Sequence, residues 1–135
     1  MMIFNTVDID GNRFTDREFG KYKVTMMNFW EPWCGPCKRE LGDLEKLYEN
    51  YKDKGFCIFG VYSDFTMDDE VRRLMEENGI SYPMLRRSND FDYLLTGYVP
   101  TTVFVGSQGN SLSFKPLIGS RSYEGWEAII KQYLG

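Results

Sequence analysis

The 135-residue sequence predicts an α/β fold in which a mixed central sheet is covered by helices on both faces. Two nearly continuous apolar runs, residues 24–30 and 56–62, have the composition of strands buried on both faces of a parallel sheet. A segment with apolar residues at helical spacing separates these runs. Towards the C-terminus, two β-prone segments separated by a short turn predict an antiparallel hairpin.

The N-terminal half is expected to contain a hairpin, the first buried strand and a helix. Asp10-Gly11-Asn12 is a turn signal between two short apolar stretches, which predicts a pair of short strands. The helix runs from just after Cys37 to about Asp53, and Gly55 ends it. Its apolar positions are Leu41, Leu44, Leu47, Tyr48 and Tyr51.

A second helix is expected after the strand at residues 56–62. Thr66 is a candidate cap, and the acidic residues 68–70 suit the positive end of the helix dipole. Asn78-Gly79 provides the stop. A short strand around residues 83–85 and one or two helical turns over residues 90–95 complete this region.

The C-terminal part is predicted to form two strands and a helix. Residues 101–105 and 112–118 are the strands, joined by a turn at residues 107–110. Apolar residues of the last helix form one stripe: Trp126, Ile129, Ile130, Tyr133 and Leu134. Neither a repeat nor a linker interrupts the pattern, so we expect one domain over residues 1–135.

Composition excludes several function classes. The net charge of −4 and scattered basic residues argue against nucleic-acid binding. The absence of histidine removes histidine-based catalytic dyads and most transition-metal sites, and three cysteines are too few for a four-thiolate zinc site. We therefore expect no metal. No apolar run approaches the about 20 residues that span a bilayer.

Cys34 and Cys37 are the residues with the clearest chemical use. They stand where a buried strand gives way to a helix, whose unpaired N–H groups and dipole favour a thiolate at the first sulfur. Pro36 suits the first helical turn, and Gly35 permits close approach of a partner backbone. A bare pair at this spacing also fits structural cysteines or metal ligands, but its position favours redox chemistry. Cys57, inside an apolar strand, is expected to be a buried free thiol.

The motifs around these cysteines resemble those of a known family. Residues 28–38, NFWEPWCGPCK, closely resemble the active-site segment of thioredoxins. Residues 60–64, GVYSD, and 98–102, YVPTT, resemble the TlpA/ResA-like branch of envelope thiol–disulfide reductases. The resemblance implies a thioredoxin fold with an N-terminal β-hairpin and an extra helix and strand inserted between the active-site helix and a cis-proline.

The resemblance also implies roles for individual residues. Cys34 is expected to be the nucleophile and Cys37 the resolving thiol. Pro100 is expected to be the cis-proline beside the disulfide, which leaves the backbone of Val99 free to pair with a substrate peptide. Trp33 is expected to flank the nucleophile at the surface.

One departure from the thioredoxin pattern affects the site. Asn28 stands where thioredoxins have a buried aspartate that moves the proton of the resolving cysteine, and the TlpA-like branch commonly has Asn there too. Asp64 follows the second buried strand, so it should lie at the same sheet edge as Cys34. Asp64 is therefore a candidate acid, and a solvated or helix-capping aspartate is the alternative.

The resulting hypothesis is a thiol–disulfide oxidoreductase that reduces partner proteins. A disulfide isomerase or oxidase would use the same residues with a different redox poise. A peroxidase of a related fold would need a Pro-x-x-x-Thr/Ser-x-x-Cys pattern, which is absent around Cys34 and Cys57. A binding module, either a copper chaperone or an inactive adaptor, would normally contain a histidine or lack one cysteine of the pair.

The expected partners are disulfide-containing proteins and an upstream electron-donor protein. No bound cofactor is expected, because the sulfur pair performs the chemistry. The first residues lack the charged segment and apolar stretch of a signal peptide. We expect a cytoplasmic protein if the chain is complete, and an extracytoplasmic one if it is a trimmed domain of a TlpA-like protein.

Overall fold

The computed structural model describes residues 1–135. It contains seven strands, which are β1 (Asn5–Val7), β2 (Arg13–Thr15), β3 (Val24–Phe29), β4 (Phe56–Tyr62), β5 (Met84–Arg86), β6 (Thr101–Gly106) and β7 (Leu117–Ile118). The three α-helices are α1 (Gly35–Tyr51), α2 (Asp68–Glu77) and α3 (Tyr123–Leu134). Short 3-10 helices cover Asp16–Lys21, Lys52–Lys54, Phe65–Met67 and Asn89–Leu94. None of the helices has the length and apolar character needed to cross a bilayer.

The main sheet is mixed and has five strands in the order β5-β4-β3-β6-β7. Strands β3, β4 and β5 are parallel, whereas β6 is antiparallel to β3 and β7 is antiparallel to β6. The chain moves from β3 to β4 to β5 in one direction, with α1 and α2 as the crossovers. Since such crossovers are right-handed, both helices lie on the same face of the sheet.

Alternating side chains of the central strands divide the interior into two cores. From β3, Met26 points into the core beneath the α-helices, which also contains Leu44 of α1 and Trp126 of α3. Met27 and Phe29 point into the opposite core, which is closed by Phe19 and Phe91 from 3-10 helices. Every residue of β3 is buried, including the polar Thr25 and Asn28, so the strand lacks the buried–exposed alternation of a strand with one face in solvent.

The predicted mixed α/β sheet, the N-terminal hairpin and the inserted helix and strand are confirmed. β1 and β2 pair antiparallel around the Asp10-Gly11 turn. The inserted strand, β5, pairs parallel to β4. The prediction that helices cover both faces of the sheet is also confirmed. However, all three α-helices pack on one face, and the other face is covered in part by 3-10 helices.

Two local expectations were wrong. The strand predicted over residues 112–118 is reduced to β7, because Ser113 Oγ accepts the Phe104 N–H and Pro116 has no N–H to donate to a ladder. Thr66 does not cap α2, because a 3-10 turn precedes that helix and the residue before α2 is Met67. The Thr66 hydroxyl instead donates to Asp64 Oδ1 at 2.5 Å.

Truncation of Leu44 to alanine is expected to lower the free energy of unfolding by about 2–5 kcal/mol. Leu44 is fully buried between α1 and the sheet, and its loss leaves a cavity. Urea unfolding measures the change. The matched control is Lys46→Ala, an exposed position of the same helix, where the change should stay within about 0.5 kcal/mol. Equal unfolding midpoints for the two variants would contradict this packing.

Candidate active site

The carboxyl edge of the parallel strands brings three loops together. The loop after β3 leads through Trp30 to Cys34, and the loop after β4 contains Ser63 and Asp64. Because β6 is antiparallel to β3, its N-terminal end lies at this same edge, preceded by Pro100. Clefts at this edge are where open α/β sheets commonly place their functional residues.

Cys34 and Cys37 form a disulfide with 5.3 Å between their Cα atoms. Cys34 is the N-cap of the 17-residue helix α1, and the backbone N–H of Cys37 donates to Cys34 Sγ at 3.2 Å. Cys34 is 6% exposed and Cys37 only 1% exposed, so the first sulfur is the more accessible. On reduction, the N–H group and the helix dipole stabilise a thiolate on Cys34 in preference to Cys37.

The backbone of Val99, which precedes Pro100, lies next to this disulfide. The Val99–Pro100 peptide bond is cis, and Cys34 Sγ is 3.6 Å from the carbonyl oxygen of Val99. Neither the N–H nor the carbonyl group of Val99 takes part in a backbone hydrogen bond. Both groups are therefore available to an extended peptide that approaches the sulfur.

The surface around Cys34 is formed by the residues next to it in the sequence. Trp33 is 58% exposed, which is unusual for so large an apolar side chain. Gly35 and Pro36 occupy the first turn of α1, and Pro36 is exposed. A Cβ atom at Gly35 would come within 3.2 Å of Arg39 Nη1, so a side chain there would have to displace the end of Arg39.

Glu40 is a buried carboxyl group, on the same helix as Cys37, that the sequence did not lead us to expect. It is 3% exposed and lies three residues after Cys37, on the same face of α1. Its Oε2 accepts from Trp126 Nε1 at 3.0 Å and from the Arg121 backbone N–H at 3.1 Å, and its Oε1 is 3.5 Å from Asn28 Nδ2. Burial raises the pKa of Glu40, although these hydrogen bonds oppose the shift.

Asp64 lies at the expected sheet edge but makes no hydrogen bond with either cysteine. Its Oδ1 accepts from the Thr66 hydroxyl, and its backbone N–H donates to Glu31 Oε1 at 3.0 Å. Glu31, 5% exposed, also accepts from the backbone N–H and hydroxyl of Ser63. Glu31 thus ties the loop after β3 to the loop after β4, another feature absent from the sequence analysis.

Of the two missed carboxyl groups, only Glu40 had a clear signal in the sequence. Glu40 falls on the apolar stripe of α1, three residues after Cys37 and next to Leu41, where a solvated acid is not expected. Glu31 lies between a buried strand and Cys34, and its partners come from a loop that is distant in sequence. A carboxyl group on a buried stripe could therefore have been found, whereas the pairing of Glu31 required the fold.

Cys57 is separated from this site. It is fully buried in β4, on the face opposite to α1, and burial raises the pKa of its thiol to about 12. A thiol with that pKa carries almost no thiolate near neutral pH, so it is a poor nucleophile. The expected buried free thiol is confirmed. No group of three or more acidic or cysteine side chains is placed to hold a metal ion.

Comparison with known proteins places this geometry among thiol–disulfide oxidoreductases. The profile of the AhpC/TSA family matches residues 2–110. The thiol-disulfide oxidoreductase ResA of Bacillus thuringiensis (strain Al Hakam) is 27% identical over 131 residues, which cover 96% of this chain and 73% of the relative. ResA of Halalkalibacterium halodurans is 32% identical over 104 residues, covering 76% of this chain and 58% of that protein.

A solved structure agrees with these sequence matches. The thiol:disulfide interchange protein of the thioredoxin family from Chlorobium tepidum TLS superimposes with a TM-score of 0.84 at 26% identity. The superposition covers 98% of this chain and 94% of that protein. The similarity thus includes the inserted α2–β5 unit as well as the segment that contains the cysteine pair.

Proposed function

The chain belongs to the AhpC/TSA family of thioredoxin-fold proteins and is a thiol–disulfide oxidoreductase, and from this premise we propose that it reduces disulfides in partner proteins. One observation carries the proposal. Cys34 begins helix α1, within disulfide reach of Cys37 and against the unpaired backbone of Val99. A nucleophile, a resolving group and a docking edge for a peptide therefore lie together.

In the proposed reaction, the reduced protein transfers two electrons to its substrate. The Cys34 thiolate attacks one sulfur of the substrate disulfide, a mixed disulfide forms, and the other substrate sulfur leaves as a thiolate. Cys37 then loses its proton and attacks Cys34 Sγ. The Cys34–Cys37 disulfide forms, and the second substrate thiol is released.

Helix α1 gives the two cysteines different roles. The 3.2 Å contact from the Cys37 N–H and the positive end of the helix both act on Cys34 Sγ. Cys37 lies deeper, at 1% exposure, where burial favours the neutral thiol. Cys34 is therefore the attacking group, and Cys37 needs a proton acceptor before it can resolve the intermediate.

Glu40 is our candidate for that acceptor, in place of the Asp64 suggested by sequence. Its raised pKa makes it a stronger base than an exposed glutamate, and it shares a helix face with Cys37. The amide of Asn28 lies 3.5 Å from Glu40 Oε1 and also donates to Thr102 Oγ1 at 3.3 Å. Asp64 is held in its own loop by Thr66 and stays the alternative acceptor.

The proposed substrates are disulfide-containing proteins, bound as an extended segment along Val99. Backbone pairing at this position is independent of side-chain identity, so it suits many partners. The oxidised protein must then be reduced again by an electron-donor protein with a lower potential. Val99, Trp33, Gly35 and Pro36 form the proposed surface for both encounters.

The reduction potential of the Cys34–Cys37 pair tests the reductase assignment. We expect a value near that of thioredoxin, about −270 mV, because Gly-Pro separates the cysteines as in thioredoxin. Thiol trapping across a series of dithiol/disulfide buffers measures this potential. The measurement uses the Cys57→Ala variant, so that only Cys34 and Cys37 can react with the trapping reagent. A value of about −120 to −180 mV would instead assign an oxidase or isomerase.

A further inference from the structure

A cleft of about 240 Å³ opens beside the cysteine pair. Its walls come from the loop after β3 and from the segment that precedes Pro100, and its floor includes Val61 of β4. Trp33 and Tyr98 stand on its walls, and Val99 connects it to the backbone edge where a substrate is proposed to pair. A peptide bound along Val99 would therefore place a side chain over this cleft.

The cleft is apolar and its aromatic walls are unusually exposed. Seven of its twelve lining residues are hydrophobic, and Trp33 and Tyr98 are 58% and 68% exposed. Exposed aromatic side chains around a concave apolar surface are typical of sites that anchor a partner. A large apolar side chain of the substrate would cover both rings.

Two charged groups face the cleft, and only one of them is free. Both oxygens of Glu31 are occupied by hydrogen bonds from Ser63 and Asp64. The guanidinium group of Arg87 has neither a hydrogen bond nor an ion pair within the chain, although its neighbour Arg86 is paired with Asp68. Arg87 is half-buried, and the structure fixes its backbone by a hydrogen bond to Tyr62. Glu31 keeps its negative charge, but its oxygens are occupied, so Arg87 is the charged group that can still pair with a ligand.

We propose that this cleft selects protein substrates carrying a large apolar residue next to the disulfide cysteine, followed by Asp or Glu. The apolar side chain fills the space between Trp33 and Tyr98, and the carboxylate binds the Arg87 guanidinium. This inference rests on the proposed reductase function and adds to it a preference among substrates. Guanidinium–carboxylate pairs of this kind give specificity as well as affinity.

Disulfide-bonded peptides test the preference in single turnovers with the pre-reduced protein. Four peptides share one sequence and carry Trp-Glu, Trp-Gln, Trp-Lys or Ala-Glu beside the cysteine. We expect the Trp-Glu peptide to react about fivefold faster than Trp-Gln at low salt, and Trp-Lys to be the slowest of the three Trp peptides. The Ala-Glu peptide should react about tenfold more slowly than Trp-Glu. In about 1 M salt, the Glu/Gln ratio should fall towards one.

Two arginine variants test whether Arg87 causes the preference for the peptide with Glu over the peptide with Gln. In Arg87→Gln, the Glu/Gln rate ratio should fall to about one. In Arg17→Gln, which removes the same charge from the distant 3-10 helix Asp16–Lys21, the ratio should be that of the unmodified protein. Circular dichroism and urea unfolding verify that both variants are folded.

The outcomes separate this inference from the proposed function. If Arg87→Gln keeps the Glu/Gln ratio, or if Trp-Lys is the preferred peptide, the charge assignment is wrong while the reductase function stands. Equal rates for Trp-Glu and Ala-Glu would show that the cleft does not select a large apolar residue. If no peptide is reduced at all, the proposed function itself fails.

Discussion

Replacement of Cys34 by serine is expected to lower the rate of disulfide reduction by at least about 10³-fold. Serine has no sulfur with which to form the mixed disulfide, and its hydroxyl group stays protonated and is a far weaker nucleophile than a thiolate. Reduction of a model protein disulfide, followed by release of its thiols, measures the loss. The variant should fold normally, because serine is itself a favourable N-cap residue.

The complementary change, Cys37→Ser, should stop the reaction halfway. Cys34 can still attack, but nothing resolves the mixed disulfide, so protein and substrate should accumulate as a covalent adduct in mass spectrometry. Cys57→Ala is the matched control, since its thiol is buried on the other side of the sheet. Full activity in Cys34→Ser, or an adduct through Cys57, would overturn the assignment of the nucleophile.

The sequence was most informative where a residue's environment is determined locally. Strand β4 has the predicted bounds because seven consecutive residues are all apolar or small, as burial on both faces requires. The cysteine pair was also readable, because the helix that begins there is encoded by Pro36 and the apolar stripe after it. In both cases the pattern lies within a few residues of the feature it predicts.

The features that could not be predicted depend on residues far apart in the chain. The segment before β7 leaves the ladder because a serine hydroxyl, on Ser113, accepts a bond from Phe104. Burial raises the pKa of Glu40, and hydrogen bonds from Trp126 and the Arg121 backbone, which are 86 and 81 residues away in sequence, oppose the rise. The free guanidinium of Arg87 is visible only when every acidic side chain has been placed.

The choice between Glu40 and Asp64 as proton acceptor can be made by measuring the second step alone. Glu40→Gln is expected to slow resolution of the mixed disulfide by about 10²-fold, the usual contribution of a positioned general base. The glutamine can keep an oxygen acceptor for Trp126 and the Arg121 N–H, so the fold should persist. Stopped-flow release of a chromophoric thiol separates this step from the initial attack, whose rate should hardly change.

The pH dependence adds a readout that structural damage would not imitate. Because burial raises the pKa of Glu40, its basic form appears only as pH rises through that raised value, and resolution should accelerate over the same range. A carboxyl group with a raised folded-state pKa stabilises the fold when protonated, so stability is lost as pH rises through that pKa. Glu40→Gln should remove both the pH dependence of the resolution rate and this contribution to the pH dependence of stability.

Asp64→Asn is the matched control for this experiment, since it removes one carboxylate from the same edge of the sheet. If Glu40 is the acceptor, Asp64→Asn should leave both the resolution rate and its pH profile unchanged. If resolution of the mixed disulfide is slow in Asp64→Asn and normal in Glu40→Gln, the proton acceptor is Asp64 instead. Since Glu40 is buried on the same face of α1 as the resolving cysteine and Asp64 is bound to Thr66, we expect Asp64→Asn to leave resolution unchanged.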